Sequence, residues 1–307
     1  MLERILLGDS PFIGTDPLMQ DKASESLAQL NPEEMARVMK ASFGSGADGF
    51  VFNTHPTNLA AFKLLTSRNP EIRFDLYPVF PYARDYVRDA TAMGTVGMLM
   101  ERVKRLTLTG KARAIFEGGL AALTMDPHKI LTMTLEAEVD DFLEAAPRAA
   151  KLKSIFLHDV IVDLSVALNL GEMIETHIAS VADKYGVKPG LVTRNFTRLI
   201  GFLENSNLSK ELVVMAPFNS LGFQMNPSRQ ACEETLATRS YLDVIAMGLL
   251  SAGILDLETA IAYIKSVKNL RSVVVGASRE EGALTTFAAL TNLKTTPEFY
   301  PKDNDQT

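Results

Sequence analysis

The chain has 307 residues, of which 47% are hydrophobic and 22% charged, with a formal net charge of −6, the composition of a globular α/β protein. The acidic balance argues against nucleic-acid binding, and no apolar run approaches the roughly 20 residues of a membrane helix. A lone cysteine, Cys232, excludes an internal disulfide and, with no signal-peptide pattern at the first residues, favours a cytoplasmic protein.

Eight short apolar segments, each ending near Gly, Pro, Asn or Asp, predict buried parallel β-strands. They are largely apolar on both faces, as expected of strands that have helices on one side and a core on the other. In chain order they span residues 4–9, 49–54, 73–80, 154–159, 190–195, 211–218, 242–248 and 272–277.

Helical patterns occupy the intervals between these strands. The first has Asn31 as its cap, Pro32 in the first turn and Glu34 three residues after the cap. Others occupy residues 170–186, 229–240 and 257–269. Eight strands alternating with helices predict one (β/α)8 TIM-barrel domain over residues 1–294. A doubly wound open sheet is the alternative, disfavoured because no G-x-G-x-x-G follows the first strand.

Three segments are longer than the strands, helices and connections of a (β/α)8 barrel require. Residues 10–30 form a long connection after the first strand and are a lid candidate. Residues 84–147 have mostly helical patterns and predict a helical insertion that packs on or over the barrel. Residues 295–307 are polar and predict a loose C-terminal tail.

The side chains that follow the strands are the candidate site residues, because barrel enzymes carry their chemistry at the carboxyl ends of the strands. No lysine lies there, which disfavours a Schiff-base mechanism, and the motifs of zinc and serine hydrolases are absent. The acid, base or metal-binding candidates are Asp9, His55, His158 and Asp159; the substrate-binding candidates are Asn53, Arg194, Asn195 and Asn219; Tyr82, Ser251, Ser278 and Arg279 complete the set.

Two interpretations stay open for the most reactive of these residues. His55 and His158 can act as acid, base or metal ligand, and together with Asp9 and Asp159 they would suit zinc or manganese. Alternatively, His55 caps a turn and His158 forms a hydrogen bond within the barrel mouth. Arg194 can bind a carboxylate or phosphate, or pair with Asp159 as a structural bridge.

The segment from Ser272 to Leu290 changes from a strand pattern to a helix pattern at Ser278. A helix N-terminus beside Arg279 suits an anion. Ser278 and Glu281 also match a capping box, which would only satisfy the helix's own donors, and the acidic residues of the first turn would oppose a phosphate.

The order of motifs along the barrel resembles the aldo-keto reductases. The resemblance is carried by "ILLGDSPFIG", "IFLHD", "GLVTRNFTRLIGFLE", "PFNSLGFQMNPSRQACEETL", "LDVIAMGLLSAGIL" and "VVVGASREEGALTTFAAL". It implies the barrel fold and a site for the adenosine phosphate of NADP after the eighth strand. The positions implied in cofactor binding are Ser251, Gly276, Ser278 and Arg279.

The same resemblance implies a catalytic centre that this sequence lacks. The family uses an Asp and a Tyr after the second strand, a Lys that ends the third and a His that ends the fourth. The first two positions are Asn53 and Asn58 here, and no Lys occurs between Lys63 and Lys104. Only His158 matches, so carbonyl reduction by the family mechanism is not expected.

Three hypotheses follow from the sequence. The protein is a barrel with a phosphate or nucleotide site and different acid–base chemistry, or a metal-assisted lyase, isomerase or hydrolase, or a non-catalytic reductase-like binding protein. An enzyme acting on a small molecule is favoured, because burying charged and imidazole groups without use would cost stability. The substrate and the oligomeric state are left open.

Overall fold

Nine short strands form the centre of the molecule. The computed structural model describes residues 2–13, 31–82, 126–147, 150–208 and 211–294. The strands are β1 (Arg4–Gly8), β2 (Gly49–Asn53), β3 (Asp75–Phe80), β4 (Lys151–Leu152), β5 (Ser154–Leu157), β6 (Lys188–Val192), β7 (Val213–Pro217), β8 (Asp243–Met247) and β9 (Ser272–Gly276).

These strands close into a parallel barrel. β9 pairs with β1, β1 with β2 and β2 with β3, so the sheet has no open edge there. β4 and β5 act as one barrel strand interrupted at Lys153, because β4 pairs with the first half of β3 and β5 with its second half. With eight barrel strands, the predicted (β/α)8 barrel is confirmed, and the doubly wound alternative is wrong.

Ten helices connect the strands in the described part of the chain. At the start of the second, the Asn31 side chain accepts a hydrogen bond from the backbone N–H of Glu34 at 2.9 Å, as predicted. The helices are α1 (Ser10–Ile13), α2 (Pro32–Gly44), α3 (Pro56–Arg68), α4 (Pro127–Ala145), α5 (Asp159–Leu168), α6 (Gly171–Tyr185), α7 (Phe196–Glu204), α8 (Arg229–Ala237), α9 (Leu257–Ser266) and α10 (Glu280–Thr291).

The barrel interior is filled with side chains and is not a channel. Strand alternation sends every second residue inward, and these inward residues form a core separate from the layer between strands and helices. Members of the inner core are Leu6, Val51, Tyr77, Phe156, Met215, Ile245 and Val274.

A polar cluster closes the floor of the barrel, where the strands begin. The Arg4 guanidinium pairs with Asp243, and its Nε donates to Ser272 Oγ at 2.8 Å. Burial raises the pKa of the neighbouring Tyr77 to about 12. Lys153 lies 3.6 Å from Asp75 at the same end, so that lysine faces away from the candidate site, as predicted.

The insertion predicted over residues 84–147 lies only partly within the described residues. Helix α4 forms its last part, and residues 84–125 lie outside the described residues, as do residues 14–30 and 295–307. The interpretations of those segments stay predictions. No helix in the described ranges is long and apolar enough to cross a membrane.

Gly49 allows β2 and β3 to approach each other closely. A Cβ added to Gly49 would lie 2.6 Å from the Asp75 carbonyl oxygen, a backbone atom that cannot move aside alone. Gly49→Ala is therefore expected to lower the free energy of unfolding by about 2 kcal/mol, measured by urea denaturation. Gly44→Ala is the control, because a Cβ there meets no atom within 4 Å. Equal stability of the two variants would contradict this packing.

Candidate active site

Five of the predicted site residues lie in two clusters at the barrel mouth, where the strands end. Val51, Phe156 and Val192 face the barrel interior, and residues two positions further continue on the same side of each strand. We define the Asp9 cluster as Asp9, Asn53 and Asn58, near the ends of β1 and β2. We define the His158 cluster as His158, Asp159 and Arg194, after β5 and β6.

Asp9 is a buried carboxylate surrounded by amide donors. Its side chain accepts hydrogen bonds from the Asn53 backbone N–H at 2.7 Å and from Asn58 Nδ2 at 2.6 Å. The Asn53 side-chain amide lies 3.2 Å from both carboxylate oxygens. Asp9 thus links the end of β1 to Asn53 at the end of β2 and to Asn58 on α3.

The Asn58 amide donates to two groups inside the protein. Its Nδ2 donates both to Asp9 and to the Asn53 carbonyl oxygen, the latter at 3.0 Å. Because a carbonyl only accepts hydrogen bonds, this contact fixes the orientation of the amide. Asn58 is fully buried, and its Oδ1 has no hydrogen-bond partner. The residue therefore holds Asp9 in place.

The environment of Asp9 favours its protonated form. Burial raises the pKa of Asp9 from 3.8 to about 6, although the hydrogen bonds from Asn53 and Asn58 oppose the rise. A carboxyl group with a pKa near neutrality exchanges protons readily at physiological pH, which is the property required of a general acid or base.

His158 and Asp159 form an oriented dyad at the start of α5. His158 Nδ1 lies 2.7 Å from Asp159 Oδ1 and 3.3 Å from the Val160 backbone nitrogen. The shorter contact requires a proton between imidazole and carboxylate, so Nδ1 carries it. The Val160 N–H then donates to Asp159 Oδ1, at 3.0 Å. This leaves His158 Nε2 as the ring nitrogen that can exchange a proton with another molecule.

Arg194 completes the cluster from the end of β6. Its Nε donates to Asp159 Oδ2 at 2.5 Å, and its side chain is 40% exposed. Burial alone would raise the pKa of Asp159, but the hydrogen bond from His158 and the charge of Arg194 outweigh it and hold that pKa below its usual range. The structural bridge between Arg194 and Asp159 that the sequence left open is therefore present.

A second carboxylate, which the search for side chains at the ends of the strands did not identify, supports Arg194. Asp163 lies one turn along α5 and accepts hydrogen bonds from Thr193 Oγ1 at 2.5 Å and from the Arg194 backbone N–H at 3.1 Å. Asp163 follows Asp159 by four residues, which places both on one face of the helix. This spacing is the sequence feature from which Asp163 could have been predicted as a site residue.

His55 also lies at the mouth, but it contacts residues that belong to neither cluster. Its Nδ1 accepts from the Thr57 backbone N–H at 3.2 Å and caps α3, and its ring contacts Tyr82 edge-on with the centroids 4.8 Å apart. Thr54 Oγ1 and the Tyr82 backbone N–H both donate to Glu138 of α4. No motif in the sequence pointed to Glu138.

The four candidate metal ligands do not form one group. Asp9 lies in one cluster, His158 and Asp159 in the other, and His55 caps a helix. Across the described ranges, no three His, Cys, Asp or Glu side chains lie together in a way that could hold a metal ion.

Two of the predicted substrate-binding residues lie in the connections after β6 and β7. Asn219 is fully buried, and its side chain donates to and accepts from the backbone of Phe223 at 2.9 and 2.8 Å, which closes the loop after β7. Asn195 precedes α7 and makes no side-chain capping bond there. Neither contact tests binding, which stays a prediction for both residues.

The predicted cofactor residues lie at the ends of β8 and β9. Ser251 is fully buried, its Oγ has no partner, and both Ser251 and Ala252 have left-handed backbone angles, with φ of 46° and 61°. At the end of β9, a Cβ on Gly276 would lie 2.5 Å from the Pro11 ring. Gly276 therefore gives α1 room to pack over the end of the barrel.

The capping box predicted at Ser278 is wrong. Helix α10 starts at Glu280, and Arg279 is its N-cap residue, with no side-chain capping bond. Ser278 lies outside the helix, so Glu281 is not at the third helical position that a capping box with Ser278 requires. Ser278 and Arg279 are both exposed.

Comparison with known proteins supports the fold. No protein-family model and no curated protein matches the sequence. Two solved structures from Pseudomonas aeruginosa, each described as a "putative aldo-keto reductase", are similar at 12% identity. The first has a TM-score of 0.54 and covers 95% of this chain and 92% of its own. The second has a TM-score of 0.53 and covers 95% and 91%. At this identity the likeness shows the barrel fold alone.

Proposed function

We propose that this protein is an enzyme that binds an anionic small molecule at the barrel mouth and uses His158 as its acid–base group. The single observation that carries the proposal is the dyad in which Asp159 orients His158. A carboxylate that binds Nδ1–H fixes the ring and stabilises the imidazolium formed when Nε2 takes a proton. The absence of the reductase tyrosine and lysine separates this proposal from carbonyl reduction.

Arg194 supplies the reason for an anionic substrate. Its Nε is used by Asp159, and its two terminal nitrogens donate to no group within the described residues. A guanidinium held at one edge and exposed at the other presents a fork of donors that fits a carboxylate or phosphate. His158 forms a hydrogen bond with the same Asp159 carboxylate, so an anion bound to Arg194 would lie near the imidazole ring.

The experiment is calorimetric titration with inorganic phosphate and pyrophosphate, followed by a turnover screen of phosphorylated and carboxylated small molecules. Arg194→Met is expected to weaken anion binding by about ten-fold or more, because a charge-assisted bond is lost. Arg271→Met is the matched control, since Arg271 is half exposed and pairs with Glu3 on the floor. Equal effects of the two substitutions would overturn the anion site.

Two substitutions of His158 separate its acid–base chemistry from its hydrogen bond to Asp159. His158→Asn keeps an amide that can donate to Asp159 in place of Nδ1–H, whereas His158→Ala leaves the buried carboxylate without that donor and is expected to cost about 1 kcal/mol of stability. Both are expected to abolish turnover in the screen. Turnover that survives in His158→Asn would show that the imidazole is not the acid–base group.

We also propose, as a second function, that an NADP-type nucleotide binds beyond β8 and β9. The supporting observations are the exposed Arg279 at a helix start without a side-chain cap, and the buried Ser251 hydroxyl without a partner in a turn of left-handed residues. Strained backbone and unsatisfied polar groups concentrate at ligand sites. The acidic pair Glu280 and Glu281 favours placing the phosphate on Arg279 and not over the helix axis.

The nucleotide proposal is tested by titrating NADPH with the protein and following the fluorescence of the nicotinamide itself, because the chain has no Trp that could transfer energy to it. Binding that is weakened at least about ten-fold in Arg279→Ala, but not in Arg271→Ala, is the expected result. Absence of binding to the unsubstituted protein would refute the nucleotide site and leave the His158 proposal intact.

A further inference from the structure

Two carboxylates are buried within the described residues, and they differ in how their charge is balanced. Asp159 is 7% exposed, and the Arg194 guanidinium supplies a cation to it. Asp9 is 3% exposed and makes no ion pair in the parts of the chain that the structure describes. The groups that donate hydrogen bonds to Asp9 are neutral amides of Asn53 and Asn58. Neutral donors lower the cost of burying a carboxylate, but they leave its net charge in place.

The charge of Asp9 is present under physiological conditions. Burial raises the pKa of Asp9 only to about 6, so most of the carboxyl groups are ionised at neutral pH. Negative charge is then enclosed at the barrel mouth with no positively charged side chain of the described residues beside it. Buried charges in proteins are ordinarily paired with an opposite charge or bind a cation, because removing a lone charge from water is costly.

Asn58 contributes a second acceptor that lacks a donor. Its side chain is fully buried, and its Oδ1 has no hydrogen-bond partner. The amide cannot turn to relieve this, because Nδ2 donates to Asp9 Oδ2 at 2.6 Å and to the Asn53 carbonyl oxygen at 3.0 Å. One N–H bond of a primary amide lies on the same side as its oxygen. One of these two acceptor oxygens therefore lies beside Asn58 Oδ1.

The Asp9 carboxylate also has room for a further contact. Its Oδ2 accepts from the Asn53 backbone N–H, the Asn53 side-chain amide and the Asn58 amide. Its Oδ1 receives one hydrogen bond, from the Asn53 side-chain amide, at 3.2 Å. Each carboxylate oxygen has two lone pairs to offer. The under-used atoms of the cluster are thus all oxygens, and a group that satisfies them must be a cation or a donor.

We propose that the Asp9 cluster binds a small monovalent cation, either an alkali-metal ion or a primary ammonium group, through the Oδ1 atoms of Asp9 and Asn58. One carboxylate balances one positive charge, and carboxylate and amide oxygens are the ligands that hard ions such as Na⁺ and K⁺ accept. Divalent and transition metals use more anionic or imidazole ligands. No three His, Cys, Asp or Glu side chains of the described residues lie together in that way.

The cation would join three elements of the mouth, because Asp9 follows β1, Asn53 ends β2 and Asn58 lies on α3. It would also offset the cost of ionising Asp9. The pH dependence that Asp9 alone confers is therefore measured in a buffer whose only cation is tetramethylammonium. This site involves none of the residues of the His158 cluster, so the proposal does not depend on the function assigned to that cluster.

Thermal unfolding in different chloride salts tests the proposal. Sodium, potassium and methylammonium chloride are compared at equal ionic strength with tetramethylammonium chloride, whose cation has the same charge but is bulky and has no N–H donor. A cation at about ten times its Kd is expected to raise the midpoint by at least about 2 °C above the tetramethylammonium value. Asp9→Asn should lose this difference. Asp75→Asn is the matched control and should keep it, because Asp75 has Lys153 at 3.6 Å on the floor of the barrel.

Sodium-23 NMR provides a second measurement that needs no substituted protein. The expected result is broadening of the sodium signal by the protein, reversed by potassium or methylammonium. A larger stabilisation by methylammonium than by either alkali ion would assign the site to the amino group of a ligand, and the opposite order would assign it to a bound metal ion. Equal midpoints in all the salts, without reversible broadening, would overturn the proposal and leave the Asn58 oxygen to a water molecule. A cation effect that persists in Asp9→Asn would overturn it as well.

Discussion

Asp159→Ala is expected to lower the free energy of unfolding by about 3 kcal/mol at pH 7. The Asp159 side chain is only 9% exposed and receives hydrogen bonds from His158 and Arg194, so its removal leaves both partners without an acceptor. Arg194 is half-exposed and regains water, which keeps the loss at the lower end of what breaking a buried ion pair costs. Urea denaturation of both proteins measures the difference.

The stability lost in Asp159→Ala should depend on pH in a defined direction. Because its partners hold the pKa of Asp159 below its usual range, its stabilising contribution is complete above the ordinary carboxyl pKa of 3.8 and disappears as the pH falls through the lower folded value. The stability gap between Asp159→Ala and the unsubstituted protein should therefore close in acid. Asp256→Ala, an exposed helix cap on α9, is the control and should give a smaller gap. A gap of equal size for the two variants would show that the contacts of Asp159 with His158 and Arg194 stabilise the protein no more than an exposed helix cap does.

Asp9 is expected to destabilise the folded protein as the pH rises, by about 3 kcal/mol in total. Its pKa rises from 3.8 to about 6 on folding, and each pH unit in that interval corresponds to about 1.4 kcal/mol. The folded state binds more protons between these two values, so stability falls as the pH increases from 3.8 to 6 and changes no further above this range. In Asp9→Asn, which cannot ionise, this fall should be absent.

The comparison is made by measuring the free energy of unfolding of both proteins from pH 3.5 to pH 8, a range chosen to bracket the two pKa values. The difference in free energy of unfolding between Asp9→Asn and the unsubstituted protein should grow as the pH rises from 3.8 to about 6 and then stay constant. Asp183→Asn is the control, because Asp183 is exposed on α6, and its difference should stay flat. A flat difference for Asp9→Asn would mean that Asp9 titrates as an ordinary carboxyl group and is not the desolvated group proposed for the site.

The barrel could be predicted because its strands have a local signature. Buried parallel strands are apolar on both faces, and segments such as residues 272–277 show this without information from the rest of the chain. Their number then restricts the topology to very few folds. The interruption at Lys153, which divides one barrel strand into β4 and β5, had no such signature, because it depends on pairing with β3.

The ends of the predicted strands indicated where the site lies but not which of its residues contact one another. Asp9 and Asn58 are 49 residues apart in the chain, and no periodicity records a contact over such a separation. Glu138 and Asp163 lie on helices, outside the positions that follow the strands. The N-cap of α10 was predicted at Ser278, one residue before Arg279, because serine is the better capping side chain, but no side-chain capping bond forms at this helix start.

In the proposed site, Asp159 fixes the His158 ring with its proton on Nδ1 and leaves Nε2 available to a bound anion. The most direct measurement is nitrogen-15 NMR of labelled histidine, titrated with inorganic phosphate. The chain has four histidines, and His158→Asn identifies the relevant signals. The expected result is a proton on Nδ1 and a saturable shift of the Nε2 signal with phosphate, lost in Arg194→Met. A proton on Nε2, with no response to phosphate, would contradict the account.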